Sequence, residues 1–391
     1  MPIALAVSFS LLLSTSHPFA QGPPPGRDVA LTAPDGTALK ATYYASARPG
    51  PAVLLLHMCN TTRKSWEPLG PQLAAAGIHA LSVDYRGFGE SGGDRYDTLA
   101  PQDAQRVINE KWPGDIDAAY DFLVAQPGVD KARIGVAGGS CGVTQAARVA
   151  RRHPEVRSLA LLAGPLDLEG LAFVSEKAWL PIFAAAAADD QYDDDAPGLM
   201  RWILAMSGNP RNKFSGFKDG KHGTEIFGPH PELPKQMVAW YTDTLIKQPA
   251  DPDAPFSVKK TPAREFWQKA VMPEGVSAAV QLFYDVKQRD PRAVLFPEAQ
   301  LNLLGYAHLQ AGRANEAIRL FRLNTLEYPL SANTYDSLGD AYLANGQDEL
   351  ALRMSEKALE LLPKDRASDA RKKAIRDSAE QKIAKLKGKT D

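Results

Sequence analysis

Apolar positions along this chain fall into two regimes. Over roughly the first 245 residues, short continuous apolar runs alternate with stretches of helical spacing. The runs at 52–58, 79–84, 132–138, 158–163 and 181–188 are mainly apolar without helical spacing. That is the pattern of strands buried on both faces. Between them, 66–75 has helical spacing and stops at Gly77. Residues 115–126 place Ala119, Phe122 and Leu123 on one side of a helix, and 143–153 reads as another. Near the start, 29–33 and 39–45 flank Pro34-Asp35-Gly36, which predicts a hairpin. The alternation predicts an α/β domain, a mostly parallel sheet covered by helices on both faces. Residues 247–262 then lose periodicity and become rich in Pro, Asp and Lys, which predicts a linker.

Beyond the linker the spacing is helical throughout. Gly305 and Gly339, Ala317 and Ala351, and Pro329 and Pro363 each recur after 34 residues. This is the period of tetratricopeptide repeats, in which small residues let paired helices approach and a proline closes each unit. Residues 276–290 are expected to supply an earlier helix and 368–386 a charged capping helix. The expected organisation is a signal segment at 1–20, a leader at 21–27, an α/β domain at 28–246, a linker at 247–272 and an all-helical repeat domain at 273–391.

Charge narrows the partners. Lys and Arg number 45 and Asp and Glu 46, so the formal net charge of -1 gives no footprint for nucleic acid or an anionic membrane. The apolar run 3–13, followed by Ser14-Thr15-Ser16 and Pro18-Phe19-Ala20, reads as a signal segment cleaved after Ala20. It is too short for a membrane span. The mature chain is therefore expected to be exported, periplasmic or secreted, without a stable span. Two cysteines, Cys59 and Cys141, give no disulfide framework and no zinc spacing.

The candidate chemistry centres on Gly138-Gly139-Ser140-Cys141-Gly142, which fits G-x-S-x-G between a predicted strand and a predicted helix. A turn this tight excludes side chains at its flanks and lifts the Ser140 hydroxyl clear of the sheet. A serine needs a base, and the base needs an orienting acid. The acid is expected just past a later strand, at Asp190 in preference to Asp189; 193–195 reads as a solvated loop. The base is expected at His222, within the small and polar run 218–224. His230 is a competitor in a similar loop, whereas His308 falls inside the repeat helices. Oxyanion donors are expected from the backbone N–H groups of Cys141 and Met58. The two cysteines thereby flank the oxyanion site, either as small semi-buried thiols or as a disulfide tying the two loops.

These residues resemble the dienelactone-hydrolase-like branch of the α/β-hydrolases over about residues 28 to 245. His57-Met58 with Arg63-Lys64-Ser65-Trp66 resembles that branch's loop after the third strand. Asp84-Tyr85-Arg86-Gly87-Phe88-Gly89-Glu90-Ser91 resembles the D-x-R-G-x-G-x-S stretch common in the fold, and His222-Gly223 the terminal His-Gly. The resemblance implies an α/β-hydrolase fold and a serine hydrolase, acting on a small-molecule ester, thioester or lactone without metal or organic cofactor. Dienelactone hydrolases carry Cys where this chain has Ser140, which favours a general serine esterase. Peptidases share the same triad, and an inert hydrolase domain carrying binding repeats is the alternative of another class. The repeats imply either a groove for a protein or peptide partner or a packing role. No large cap fits between Ser140 and Asp190. Residues 94–113 are the expected covering loop, where Tyr96 and Trp112 either line a pocket or pack at the surface.

Overall fold

The computed structural model describes residues 25–388, so the expected signal segment 1–20 lies outside the described residues. β1 (Arg27–Thr32) and β2 (Ala38–Tyr44) form the expected hairpin, turning through Gly36 at φ 87°. β3 (Gly50–Leu56) leads through a helical turn at Arg63–Trp66 into the short α1 (Gly70–Ala75). β4 (His79–Val83) follows. The 94–113 segment is built from α2 (Pro101–Arg106) and a further turn, which runs into α3 (Trp112–Val124). Then come β5 (Val129–Gly139), α4 (Cys141–Arg152), β6 (Val156–Leu162), α5 (Leu168–Glu176), β7 (Ile182–Ala187), α6 (Ala196–Ser207), β8 (Lys213–Phe217) and α7 (Glu232–Tyr241).

The eight strands make one sheet in the order β1-β2-β4-β3-β5-β6-β7-β8. β1 and β2 pair antiparallel, β2 meets β4 antiparallel, and every other pairing is parallel. Every residue of β3, β4 and β7 is buried, as strands covered on both faces must be. Parallel order brings the C-terminal ends of β3, β5, β6, β7 and β8 to one edge, where loops from the helix crossovers meet.

The remaining helices are α8 (Pro262–Ala270), α9 (Val276–Arg289), α10 (Glu298–Gln310), α11 (Ala314–Glu327), α12 (Ala332–Ala344), α13 (Asp348–Leu361) and α14 (Asp369–Lys387). α10 with α11 and α12 with α13 form two hairpins, the second starting 34 residues after the first at both helices (298 to 332, 314 to 348). Gly305 explains the close approach. A Cβ there would sit 2.4 Å from the Phe321 ring on the facing helix. Among the described residues no helix is long and apolar enough to cross a membrane.

Three local readings change. The segment expected as a linker contains α8, because Thr261 caps it through Arg264 N–H (3.1 Å) and Pro262 occupies the first turn. Asp195, expected in a solvated loop, caps α6 by accepting the Gly198 N–H at 2.9 Å. Trp112 neither lines a pocket nor packs at the surface. It is fully buried and stacks on Tyr85 at 4.4 Å between centroids.

α8 carries the boundary between the two parts of the chain. Trp267 is fully buried and meets Trp202 of α6 edge to face at 5.5 Å, while the Trp202 indole N–H donates to Leu295 O at 2.8 Å. The buried cluster holding Ile203 and Met206 of α6 continues without interruption through Phe266, Phe283, Phe296 and Leu301. His308 joins the same seam, donating from Nε2 to Ala270 O at 2.9 Å. Trp267→Ala should therefore destabilise the whole chain by about 3–5 kcal/mol. Urea denaturation checks this. A loss confined to the helical part, with the sheet signal unmoved, would contradict a shared core.

Candidate active site

Ser140 occupies the first turn out of β5 with φ 53° and ψ -122°, a backbone conformation that L-residues rarely adopt. Its N–H donates to Leu162 O of β6 at 2.9 Å, and its own carbonyl accepts the Val143 N–H at 2.9 Å. The flanking glycines are demanded by space. A Cβ at Gly138 would lie 2.0 Å from Gly142 O, and one at Gly142 would lie 2.6 Å from Leu56 O. A third glycine, unmarked by the motif, is equally constrained. Gly164, past the end of β6, would put a Cβ 2.3 Å from Ser140 O. Among the described residues three non-glycine positions have positive φ, Ser140, Ala163 and Lys221, and all lie in loops beyond strand C-terminal ends.

Asp190 and His222 are brought together. The His222 Nδ1–H donates to Asp190 Oδ2 at 2.7 Å, and both groups are buried. The other carboxylate oxygen of Asp190 accepts the N–H groups of Tyr192 (2.8 Å) and Asp193 (3.2 Å), which fixes the plane of the group. Nδ1 thus carries the proton, and Nε2 is left as the ring's acceptor. Asp189 is engaged elsewhere, accepting the Lys221 N–H at 2.8 Å and so closing the loop ahead of His222. His230 has both ring nitrogens on Asp219 and Glu232 and does not touch Asp190.

The His222 loop rests on Met58. A Cβ at Gly223 would lie 2.3 Å from Met58 Sδ, and the Thr224 N–H points at the same sulfur at 3.4 Å. Gly223 also has φ 54°, so its glycine is required twice over. The same Met58 Cγ would lie 3.1 Å from a Cβ on Gly139, beside Ser140. The chain of contacts therefore sets the His222 turn against the elbow.

The backbone N–H groups expected as oxyanion donors differ in their partners. The Met58 N–H, expected as the second donor, points into its own loop and donates to Thr61 Oγ1 at 3.2 Å, and Met58 is fully buried. The next N–H, that of Cys59, has no acceptor among the described residues, and Cys59 is half-buried at the site's edge. Cys141, at the start of α4, lies directly opposite. The two cysteines form a disulfide with 5.9 Å between α-carbons, so the bridged alternative holds in this structure.

Two further residues, Glu225 and Tyr192, escaped the sequence reading, and a third, Arg63, was quoted there without a role. Glu225 Oε2 accepts the His222 N–H at 3.2 Å and the Gln191 side chain at 2.8 Å, bracing the His222 and Asp190 loops together. Its spacing three residues after His222 is that of a capping box, the signal that would have found it. Tyr192, largely exposed, sets its ring edge-on to His222 at 4.7 Å and receives a hydrogen bond from Asn60 at 3.3 Å. Arg63 is buried at the end of the 57–62 loop. It donates to Asp84 at 2.5 Å, Glu90 at 2.8 Å and Thr42 at 3.0 Å, which gives the Asp84 to Ser91 stretch its role as a clamp on that loop.

His57 forms the floor. Its Nδ1–H donates to Met58 O at 2.6 Å and Nε2 accepts the Tyr85 N–H at 3.1 Å. Burial pushes its pKa down to about 4, against the opposing pull of the Met58 carbonyl and Asp84. The unfolded chain takes up this proton near pH 6.5, the folded chain only near 4. Stability from the neutral buried ring is complete above pH ~6.5 and is lost as pH falls towards ~4, by up to about 3 kcal/mol. His57→Gln should flatten that dependence. Urea midpoints of both proteins between pH 7 and 4.5 provide the check, and parallel curves would refute it.

Residues 51–213 match the family described as alpha/beta hydrolase fold. Two curated relatives are uncharacterised proteins of Mycobacterium tuberculosis, strains CDC 1551 and H37Rv. Each is 30% identical over 161 residues, covering 41% of this chain and 52% of the relative. The chain spans about half the length of these relatives. Among solved structures, an esterase from Pyrococcus furiosus aligns with a TM-score of 0.45 at 18% identity, covering 59% of this chain and 100% of its own. A puromycin-hydrolysing peptidase of Mycobacterium tuberculosis aligns with a TM-score of 0.44 at 19% identity, covering 60% and 40% respectively. With its strand order, its elbow after β5 and this family match, the N-terminal part of the chain has the α/β-hydrolase fold, and an all-helical unit follows it.

Proposed function

We propose that the protein is a serine hydrolase of carboxylesterase type, cleaving an ester, thioester or lactone of a small-molecule acyl substrate. Ser140 attacks the acyl carbon while His222 Nε2 takes its proton. Asp190 holds the ring and stabilises the imidazolium, and the Cys141 and Cys59 N–H groups receive the tetrahedral oxyanion. The leaving alcohol or thiol departs with the proton from His222, and water then releases the acyl group by the same steps. The observation that carries this reading is the buried 2.7 Å Asp190–His222 pair, packed through Met58 against a serine held at positive φ. Between β6 and β7 the chain has room only for α5, so no cap domain is inserted there.

A fluorophosphonate probe on the purified protein tests it. Label is expected on Ser140, absent in Ser140→Ala. Asp190→Asn should lower kcat by about 10⁴-fold, since the ring then takes the wrong tautomer. Asp189→Asn should leave kcat near the parent value. Equal losses in both variants would remove Asp190 from its assigned role.

Export is part of the proposal. A disulfide persists in an oxidising compartment, and the 3–13 run has signal character. Mass spectrometry of protein recovered from outside the cytoplasm should find an N-terminus at Gln21. Protein still carrying residues 1–20 would count against it.

A further inference from the structure

The two assigned oxyanion donors lie 82 residues apart in sequence, on loops with very different support. Cys141 opens α4, in an elbow pinned by Ser140 N–H to β6 and by its own first helical turn. Cys59 is framed only by the short turn from Met58 to Thr61. Upstream, Met58 is held through its N–H to Thr61 and through its carbonyl, which accepts from His57 and from the Thr61 N–H at 3.3 Å. At Cys59 itself the backbone makes no hydrogen bond among the described residues, and Asn60, next along, is exposed. The Met58 carbonyl shares one planar peptide with the Cys59 N–H, so the hydrogen bonds it accepts orient that N–H within its own turn, and the covalent tie from this turn to the elbow is the one between sulfurs.

We propose that the Cys59–Cys141 disulfide is a positioning element for hydrolysis, setting the distance between the two N–H groups that receive the oxyanion. This rests on the serine hydrolase reading above. The physical basis is the tolerance of such a site. Donors act at about 2.7–3.1 Å from the oxyanion, and losing one costs about 10²–10³ in kcat. Breaking the bond removes the covalent tie between the turn and the elbow, leaving their separation free to drift beyond that tolerance. The bridge is half-buried at both cysteines and has Tyr96 Oη 3.9 Å from Cys59 Sγ, so small reagents reach it. A bond that only stiffened the fold would serve as well elsewhere. This one joins the residue after the nucleophile to the residue carrying the other donor.

The test uses the full chain with p-nitrophenyl acetate as substrate and fluorophosphonate labelling alongside. Dithiothreitol delivers two electrons and two protons to the bridge, closing its own ring disulfide and leaving Cys59 and Cys141 as thiols. With circular dichroism unchanged, kcat is expected to fall at least tenfold with KM within about threefold, the split expected when a transition-state contact is lost. Labelling of Ser140 should slow in parallel, and reoxidation should restore both. Cys59→Ser/Cys141→Ser should have the low kcat with and without reductant. A separate measurement removes stability as the cause. Treating the reduced protein with diiodomethane places one methylene between the sulfurs, preserving the cross-link while widening it. Here too kcat should fall at least tenfold. Reduced or methylene-bridged protein that turns over as fast as the oxidised form would overturn the positioning role. Oxidised protein that neither hydrolyses the ester nor labels on Ser140 would instead bring down the hydrolase reading, and the proposal with it.

Discussion

Ser140 can point its hydroxyl out of the sheet only because nothing else occupies the space its backbone turns through. Positive φ at a residue with a side chain costs on the order of 1–3 kcal/mol, and the surroundings must over-determine it. They do so with three glycines drawn from β5, the start of α4 and the loop after β6, each close enough to a carbonyl to forbid a methyl group. The parallel sheet order follows from the same requirement. Elbow, Gly164 loop and the end of β3 meet only when β3, β5 and β6 run side by side in the same direction.

Around that turn, polar groups are buried in satisfied sets rather than singly. Asp190 spends one oxygen on His222 and the other on two backbone N–H groups. Arg63 meets three side chains at 3.0 Å or less. Removing one member of such a set leaves a buried charge uncompensated, a costly defect. Met58 supplies the apolar counterpart, its flexible thioether filling the irregular gap between elbow and base loop. Loops that would otherwise be mobile are in this way held by their own side chains.

The central sheet strands were legible because burial on both faces leaves mainly apolar runs, and the helical hairpins because small residues recur at a 34-residue period. Lys213–Phe217 left no such trace. It is the edge strand β8, with half-exposed side chains and Gly216 within it, so neither a run nor an alternation marks it. Pro262 misdirected in the opposite sense, since proline in a first helical turn looks like proline in a linker. At the site, the order of Asp190 and His222 past their strand ends was readable, and the structure pairs them. Which backbone N–H is left without an acceptor was not. Met58 and Cys59 differ only in peptide orientation, which depends on a Thr61 hydroxyl and a buried His57 that carry no motif.

The seam at Trp202 and Trp267 bears on how the molecule comes into being. α6 follows the Asp190 loop by only a few residues, and its outer face is covered by helices that begin at residue 262. While the chain is being made, everything needed for the sheet and elbow emerges before the cover for Trp202 exists. During that interval a nascent chain presents an indole and its neighbours to any other apolar surface nearby, the condition in which partly made proteins associate wrongly.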